Sequence, residues 1–329
     1  MNERRLDATT GEWTTYSAAR QERTFLPSAA HCPLCPTRPG EPQTEVPRSS
    51  YEVVVFDNRF PALMADPPPP PSGAAGGPLQ RVEAAAGATE VVLYSDDHAL
   101  TLADMGAPRV RRLVEVWADR YERLGLRDEV AYVLVFENKG EAMGVTLHHP
   151  HGQIYGYPEI PPRPRLELTT AAAHLEANGT CVHCDVVARE RADGVRVVDE
   201  NRSFVAYVPF AARYPYEVHV ASRRHAPSLL DLTDPERDAL ADVLASVLRA
   251  YDGLFGFPMP YVMVVHQAPT DDGRWLAVSH LHVEFTPPHR EAGKLKYLAG
   301  SELGGGAFLN DVFPEEAAAR LRGIARSWP

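Results

Sequence analysis

Six residues near the middle of the chain, His148-His149-Pro150-His151-Gly152-Gln153, bring three imidazoles and a carboxamide together. An imidazole binds metals and serves near neutral pH as a base or nucleophile. A carboxamide donates hydrogen bonds without carrying charge, which suits an oxygen that becomes negative during a reaction. The four cysteines form two pairs, Cys32-Pro33-Leu34-Cys35 and Cys181-Val182-His183-Cys184. Such spacing reads as a metal half-site or a redox motif. Cys32 lies among prolines rather than in a βαβ setting, which favours metal.

The elements that must position these residues occur twice. A strand-like run, Val130–Phe136, precedes the histidines, which then lie in a Gly-containing loop. Upstream lie strand candidates at Trp13–Tyr16, Tyr51–Phe56 and Glu90–Tyr94. Val110, Leu113, Val114, Trp117, Tyr121 and Leu124 recur at helical spacing, so 108–125 is expected to be an amphipathic helix with a core-facing stripe. After the second cysteine pair the order repeats. Strands are expected at 195–198, 204–207, 216–220 and 261–266, with a last one holding His280-Leu281-His282. A capping box at Thr233 and Glu236 opens the second long helix. Matching order and patterning indicate an internal duplication.

The duplication sharpens the metal argument. Cys32, Cys35, His98 and His149 in the first half match Cys181, Cys184, His225 and His280 in the second, and the histidine gaps are similar, 149 − 98 = 51 and 280 − 225 = 55. Two thiolates with two imidazoles suit tetrahedral zinc in a closed structural site, which predicts two zinc ions per chain. If His149 is a ligand, His151 is left for chemistry. Gly152 allows close approach, and Gln153 supplies an amide donor. Such a pair suits attack on phosphorus, the histidine forming a covalent phosphoramidate. The second-half loop, His280-Leu281-His282-Val283-Glu284, lacks the Gly-Gln pair and reads as structural. His148 has no assigned role.

Composition excludes other classes. With 23% charged residues, a net charge of −11 and no basic run, the 329-residue chain has no nucleic-acid footprint. No apolar run approaches the roughly 20 residues that span a bilayer, and no secretory leader is visible. The expectation is a cytoplasmic protein. Pro67–Pro71 and the following Ser72–Gly77 read as an exposed insert without function.

The run Phe136-Glu137-Asn138-Lys139-Gly140, through Met143-Gly144, to His149-Pro150-His151-Gly152-Gln153 closely resembles the galactose-1-phosphate uridylyltransferase family, a duplicated branch of the histidine-triad superfamily. The resemblance covers nearly the whole chain. It implies an α+β fold of two tandem histidine-triad-like halves, 1–165 and 166–329, with antiparallel sheets and flanking helices. It also implies a double displacement. His151 attacks the α-phosphorus of UDP-glucose, glucose 1-phosphate leaves, and galactose 1-phosphate takes UMP from the uridylyl-histidine while Gln153 holds the phosphoryl oxygens. By the same resemblance Phe56, Asn58 and Phe60 form a nucleoside pocket, and Asn138, Gly144 and Thr146 contact ribose and phosphate. Arg20 and Arg23 approach the phosphates from the neighbouring subunit of a homodimer, and Lys296 with Glu302 belongs to a sugar-phosphate segment.

Two departures stand out. Gly304-Gly305-Gly306-Ala307 replaces a segment that carries a glutamine in some relatives. Some relatives also build the second metal site from a glutamate and three histidines, which would be Glu167, His266, His280 and His282 here; the cysteine pair favours Cys181, Cys184, His225 and His280 instead. Rival readings are an ADP-glucose phosphorylase-like adenylyl transfer and a zinc-stabilised nucleotide binder without turnover. Gln153 beside His151 argues against the latter.

Overall fold

A computed structural model describes residues 2–22, 24–70 and 76–327. Nine strands form one antiparallel sheet: β3 (Val54–Asp57), β5 (Ala88–Leu93), β6 (Tyr132–Lys139), β7 (His151–Tyr157), β8 (Val197–Glu200), β9 (Phe204–Tyr207), β10 (Val218–Ser222), β11 (Tyr261–His266) and β12 (His282–Thr286). Their spatial order is β3-β5-β7-β6-β11-β12-β10-β9-β8. The order β3-β5-β7-β6 is thus mirrored in β11-β12-β10-β9, and the halves meet where β6 pairs with β11. Phe136 lies opposite Val264 there. Each of these two residues also pairs outward with the residue two beyond a histidine, Phe136 with Gln153 and Val264 with Glu284. The joint is therefore a local two-fold relation, and the duplication expected from sequence is an antiparallel α+β fold with flanking helices.

Strands β1 (Asn2–Leu6), β2 (Trp13–Ser17) and β4 (Val82–Ala84) form a small separate sheet, and β13 (His289–Glu291) pairs with β14 (Lys294–Leu295). The helices are α1 (Gly106–Gly125), α2 (Pro162–Asn178), α3 (Val182–Asp193), α4 (Asp234–Phe255), α5 (Gly300–Gly305) and α6 (Pro314–Ser327). The expected helix at 108–125 is α1, and the Thr233–Glu236 capping box does open α4. Neither α2 nor α6 has a counterpart among the sequence expectations. Strand alternation sorts the layers. Val133 and Val135 face the main core with α1 and α4, whereas Tyr132 packs with Leu168 and Ala171 of α2 on the other face.

The histidine-rich stretch corrects one expectation. It is not wholly loop, because His151 begins β7, which pairs with β5 on one side and β6 on the other. The cause is alternation. Gly152, Ile154 and Gly156 fit under the α1 layer, where Ile154 joins the core, while His151, Gln153, Tyr155 and Tyr157 occupy the opposite face. Of the Pro/Gly-rich insert, 71–75 lie outside the described residues, and Pro67–Pro70 carry no helix or strand.

One carboxyl is buried at the joint. Glu137 on β6 is 4% exposed, and Tyr261 Oη lies 3.3 Å from its Oε2. Burial pushes its pKa from 4.5 up to about 7, partly offset by Lys139 and the Tyr261 hydrogen bond. The folded state therefore binds this proton more tightly than the unfolded chain. Its contribution favours folding below about pH 4.5 and is lost as pH rises through about 7. Glu137→Gln should remove that dependence. Between pH 5 and 8 the wild type should lose stability relative to the variant, on the order of 3 kcal/mol, read by denaturant unfolding at several pH values. Parallel pH profiles would refute the assignment.

Candidate functional site

Two clusters of sulfur and nitrogen flank the sheet. In the first, Cys35 Sγ lies 3.4 Å from His98 Nδ1 and 3.6 Å from His149 Nδ1, and Cys32 completes the group. In the second, His280 Nδ1 lies 3.7 Å from Cys181 Sγ and 3.6 Å from Cys184 Sγ, with His225 as the fourth member. Sulfur and nitrogen bonded at about 2.3 and 2.0 Å to one tetrahedral centre would stand about 3.5 Å apart. The spacing fits zinc, and both quartets consist of the residues expected from sequence.

The outer nitrogens agree. His149 Nε2 donates to Ser95 O at 2.8 Å and to Tyr51 Oη at 2.7 Å, and Tyr51 donates onward to Leu34 O. His280 Nε2 donates to Ser222 O at 2.8 Å. His225 Nε2 donates to Leu276 O, and its buried Nδ1 has no hydrogen-bond partner among the described residues. The His149 and His280 rings are turned so that Nδ1 faces the sulfurs, the arrangement that orients metal-binding histidines. Burial brings His149 and His280 down to about 4, leaving both neutral and able to ligate at neutral pH. Burial, with the adjacent Cys32 thiol, pushes Cys35 up to about 12, so a thiolate there requires a cation beside it.

His151 stands between two cavities. One is lined by Phe56, Asn58, Phe60, Thr146 and Gln153, the other by Asn138, Lys139, His148 and Pro258. His151 Nδ1 donates to His149 O at 2.8 Å. A carbonyl only accepts, so the proton is on Nδ1 and the ring lone pair is on Nε2. Asn58 Oδ1 accepts from Phe60 N, which fixes the turn bearing both residues. Gly144, at φ +76, ends the short turn before Thr146, and Thr146 O accepts from Leu26 N. Arg20 Nη1 donates to Tyr155 Oη of its own chain at 3.0 Å. Arg23 lies outside the described residues. Lys296 pairs with Glu302 at 2.9 Å, and neither lines these two cavities. His148 faces Glu141 at 3.3 Å.

Sequence reasoning missed Leu34, Glu45, Arg59 and Val91, which also line the nucleoside-side cavity. Leu34 could have been inferred, because it sits between two clustered cysteines. The others carry no chemical signature. Missed too was a third group, Glu167, His266, His282 and Glu284, whose ligand atoms lie close enough to hold an ion. It contains three of the four residues of the alternative second site, with Glu284 in place of His280. Burial alone would raise Glu167, but His266, its hydrogen bond and His282 bring it down to about 2.

The two halves have diverged at matching positions. His282 Nδ1 donates to His280 O at 2.8 Å, as His151 does to His149 O. Through strand pairing, Gln153, Val91 and Phe56 correspond to Glu284, His219 and Tyr207. A carboxylate thus replaces the amide, and a phosphate would meet a negative charge in the second half.

Comparison with known proteins gives the family. Residues 1–161 match the family model described as galactose-1-phosphate uridyl transferase, N-terminal domain, and 167–328 match its C-terminal domain. The chain is 41% identical over 322 residues to the galactose-1-phosphate uridylyltransferase of Thermotoga maritima, covering 98% of each chain. It is 36% identical to that of Streptomyces lividans, over 98% of this chain and 87% of the relative. A solved uridylyltransferase superposes with a TM-score of 0.85 at 37% identity and 98% coverage of both chains. An ADP-glucose phosphorylase from Arabidopsis thaliana with bound ADP-glucose gives 0.74 at 25% identity, covering 98% of this chain and 99% of that one.

Gly152 sets how closely β7 approaches the core. A Cβ there would lie 2.0 Å from Tyr94 Oη and 3.0 Å from Phe136 O. Gly152→Ala should therefore push the strand outward and lower the unfolding free energy by about 1–3 kcal/mol. Tyr94→Phe, which removes the clashing oxygen, should recover part of that loss in the double variant. Additive losses in denaturant titrations would refute this packing.

Proposed function

This chain belongs to the galactose-1-phosphate uridylyltransferase family, and from that premise we propose that it exchanges UMP between UDP-glucose and galactose 1-phosphate through His151. The observation that carries the reading is the Nδ1 hydrogen bond from His151 to the carbonyl of His149, which leaves the lone pair on Nε2. Nε2 attacks the α-phosphorus, a P–N bond forms, and the bond from that phosphorus to the bridging oxygen breaks as glucose 1-phosphate departs. A phosphate oxygen of galactose 1-phosphate then attacks the same phosphorus, the P–N bond breaks, and UDP-galactose leaves. The His149 carbonyl stabilises the ring while it carries the uridylyl group. The Gln153 amide donates to a non-bridging oxygen as charge builds there.

Phe56 and Phe60 supply apolar walls for a base, Asn58 polar atoms for the nucleoside, and Asn138, Gly144 and Thr146 the ribose and phosphate contacts. Arg20 and Arg23 offer charge-assisted contacts to phosphate. Lys296 and Glu302 belong in this reading to the sugar phosphate, and a homodimer would let one protomer's segment reach the other's site. We keep the division into halves 1–165 and 166–329. Cys32, Cys35, His98 and His149, and likewise Cys181, Cys184, His225 and His280, would each hold one zinc. A zinc held by these residues would neutralise the thiolates and cross-link distant segments, a structural role and not a catalytic one. The cysteines are unpaired with one another, in keeping with a reducing cytoplasm, and no described helix is long and apolar enough to cross a membrane.

Incubation with UDP-glucose alone should yield a protein one UMP heavier by mass spectrometry, and His151→Ala should abolish the adduct. Labelling by ADP-glucose and not UDP-glucose would replace uridylyl with adenylyl transfer. Metal analysis should return about two zinc ions per chain on the four-ligand argument. Cys181→Ser should lose one of them, and an unchanged content would remove the second site.

A further inference from the structure

Arg20, Tyr155 and Gln153 form a connected series of polar side chains beside His151. Arg20 Nη1 donates to Tyr155 Oη at 3.0 Å, and Tyr155 Oη lies 3.3 Å from Gln153 Oε1. A guanidinium only donates, so the tyrosine oxygen accepts from it, and the hydroxyl proton is left for the amide oxygen of Gln153. An amide whose oxygen is held in this way turns its NH2 elsewhere, and Gln153 lines the cavity that it shares with His151. We propose that Tyr155 is a positioning residue for nucleotidyl transfer, its hydroxyl fixing the Gln153 amide so that Nε2 points at the phosphoryl oxygens.

The ring is well placed for this. Gln153 and Tyr155 are two residues apart on β7 and so occupy one face of the strand. Tyr155 is 8% exposed. It meets Phe136 edge-on at 5.0 Å and lies 5.9 Å from the Tyr157 ring. Without that hydroxyl, Gln153 keeps its place on the strand, but its terminal torsion, which interconverts amide oxygen and nitrogen, loses its restraint. Arg20 completes the series from the N-terminal segment. Of the Tyr155–Gln153 pair only Gln153 contacts substrate, so loss of the tyrosine hydroxyl should slow the chemical step more than it weakens binding.

The inference rests on the transferase reading, and one double-mutant cycle tests both. Tyr155→Phe preserves the ring and removes the hydroxyl. In rapid-quench measurement of protein nucleotidylation by UDP-glucose, it should lower the rate by about 10-fold or more, below the 10²–10³ seen when a donor itself is removed. Half-saturation should move less than about threefold if ground-state binding is untouched. In a Gln153→Ala background the same substitution should change the residual rate by less than about twofold, since the partner is already gone. Equal losses in the two backgrounds, or a wild-type rate for Tyr155→Phe, would overturn the proposal. A wild-type protein labelled by neither UDP-glucose nor ADP-glucose would overturn the transferase reading, and this inference with it.

Discussion

One imidazole ties the first sulfur cluster to His151. His149 is 1% exposed, with Nδ1 toward Cys35, Nε2 on Ser95 O and Tyr51 Oη, and its carbonyl on His151 Nδ1. Both ring nitrogens are engaged, so the ring cannot turn without breaking contacts on both sides. The carbonyl is carried by the same backbone and inherits that fixity. The His151 tautomer on which the proposed attack relies therefore depends on four residues drawn from positions 32 to 149. A cluster that supplies no chemistry of its own would in this way still set the orientation of a ring two residues away.

The second half shows which features of that arrangement are generic and which are specific. His280 and His282 reproduce the clamp, including the 2.8 Å contact from Nδ1 to the carbonyl two residues back. The clamp alone therefore does not make a transferase. Surroundings decide. Glu284 stands where Gln153 stands, and His219 faces both Glu217 at 2.9 Å and Glu284 at 3.3 Å. His219, with His266 and His282, holds the Glu284 carboxyl well below the usual range despite its burial. A phosphate there would meet a carboxylate already engaged by histidines instead of a neutral amide. Duplication supplied two frames, and substitution of a neutral amide by a carboxylate separates their roles.

The parts legible in the sequence were those whose chemistry admits few alternatives. Thiols at Cys-x-x-Cys spacing, matched by histidines at similar gaps, identify both quartets, because few other functions require that set. The apolar period of α1 and the capping box of α4 are equally direct. What stayed hidden depends on pairing across long separations. Val91 becomes a cavity wall only because it lies opposite Gln153 and Phe56. Glu284 becomes the counterpart of Gln153 only through the β10–β12 register. The weakly patterned α2 buries little beyond Pro164, Leu168 and Ala171, so its period carries no clear signal. Tyr155 reads as an ordinary strand tyrosine until Arg20, 135 residues away, reaches it.

The largest correction, from loop to strand at His151, also bears on how the site gains precision. A loop histidine would hold its position through local turns alone. On β7, Leu93 lies opposite His151, and Gln153 is flanked by Val91 on one side and Phe136 on the other. Sites carried on sheet strands are held more tightly than sites on loops. The two glycines pack that strand close, Gly152 against Tyr94 and Gly156 against Val130 and Ala88. Their lack of a side chain on the core face is what lets the histidine, glutamine and tyrosines on the other face sit at fixed depth. Alternation along seven residues thus separates the two demands, with close packing on one side and polar chemistry on the other. A residue added to or removed from β7 before Gln153 would exchange those faces, burying the amide and presenting Ile154 to the phosphate.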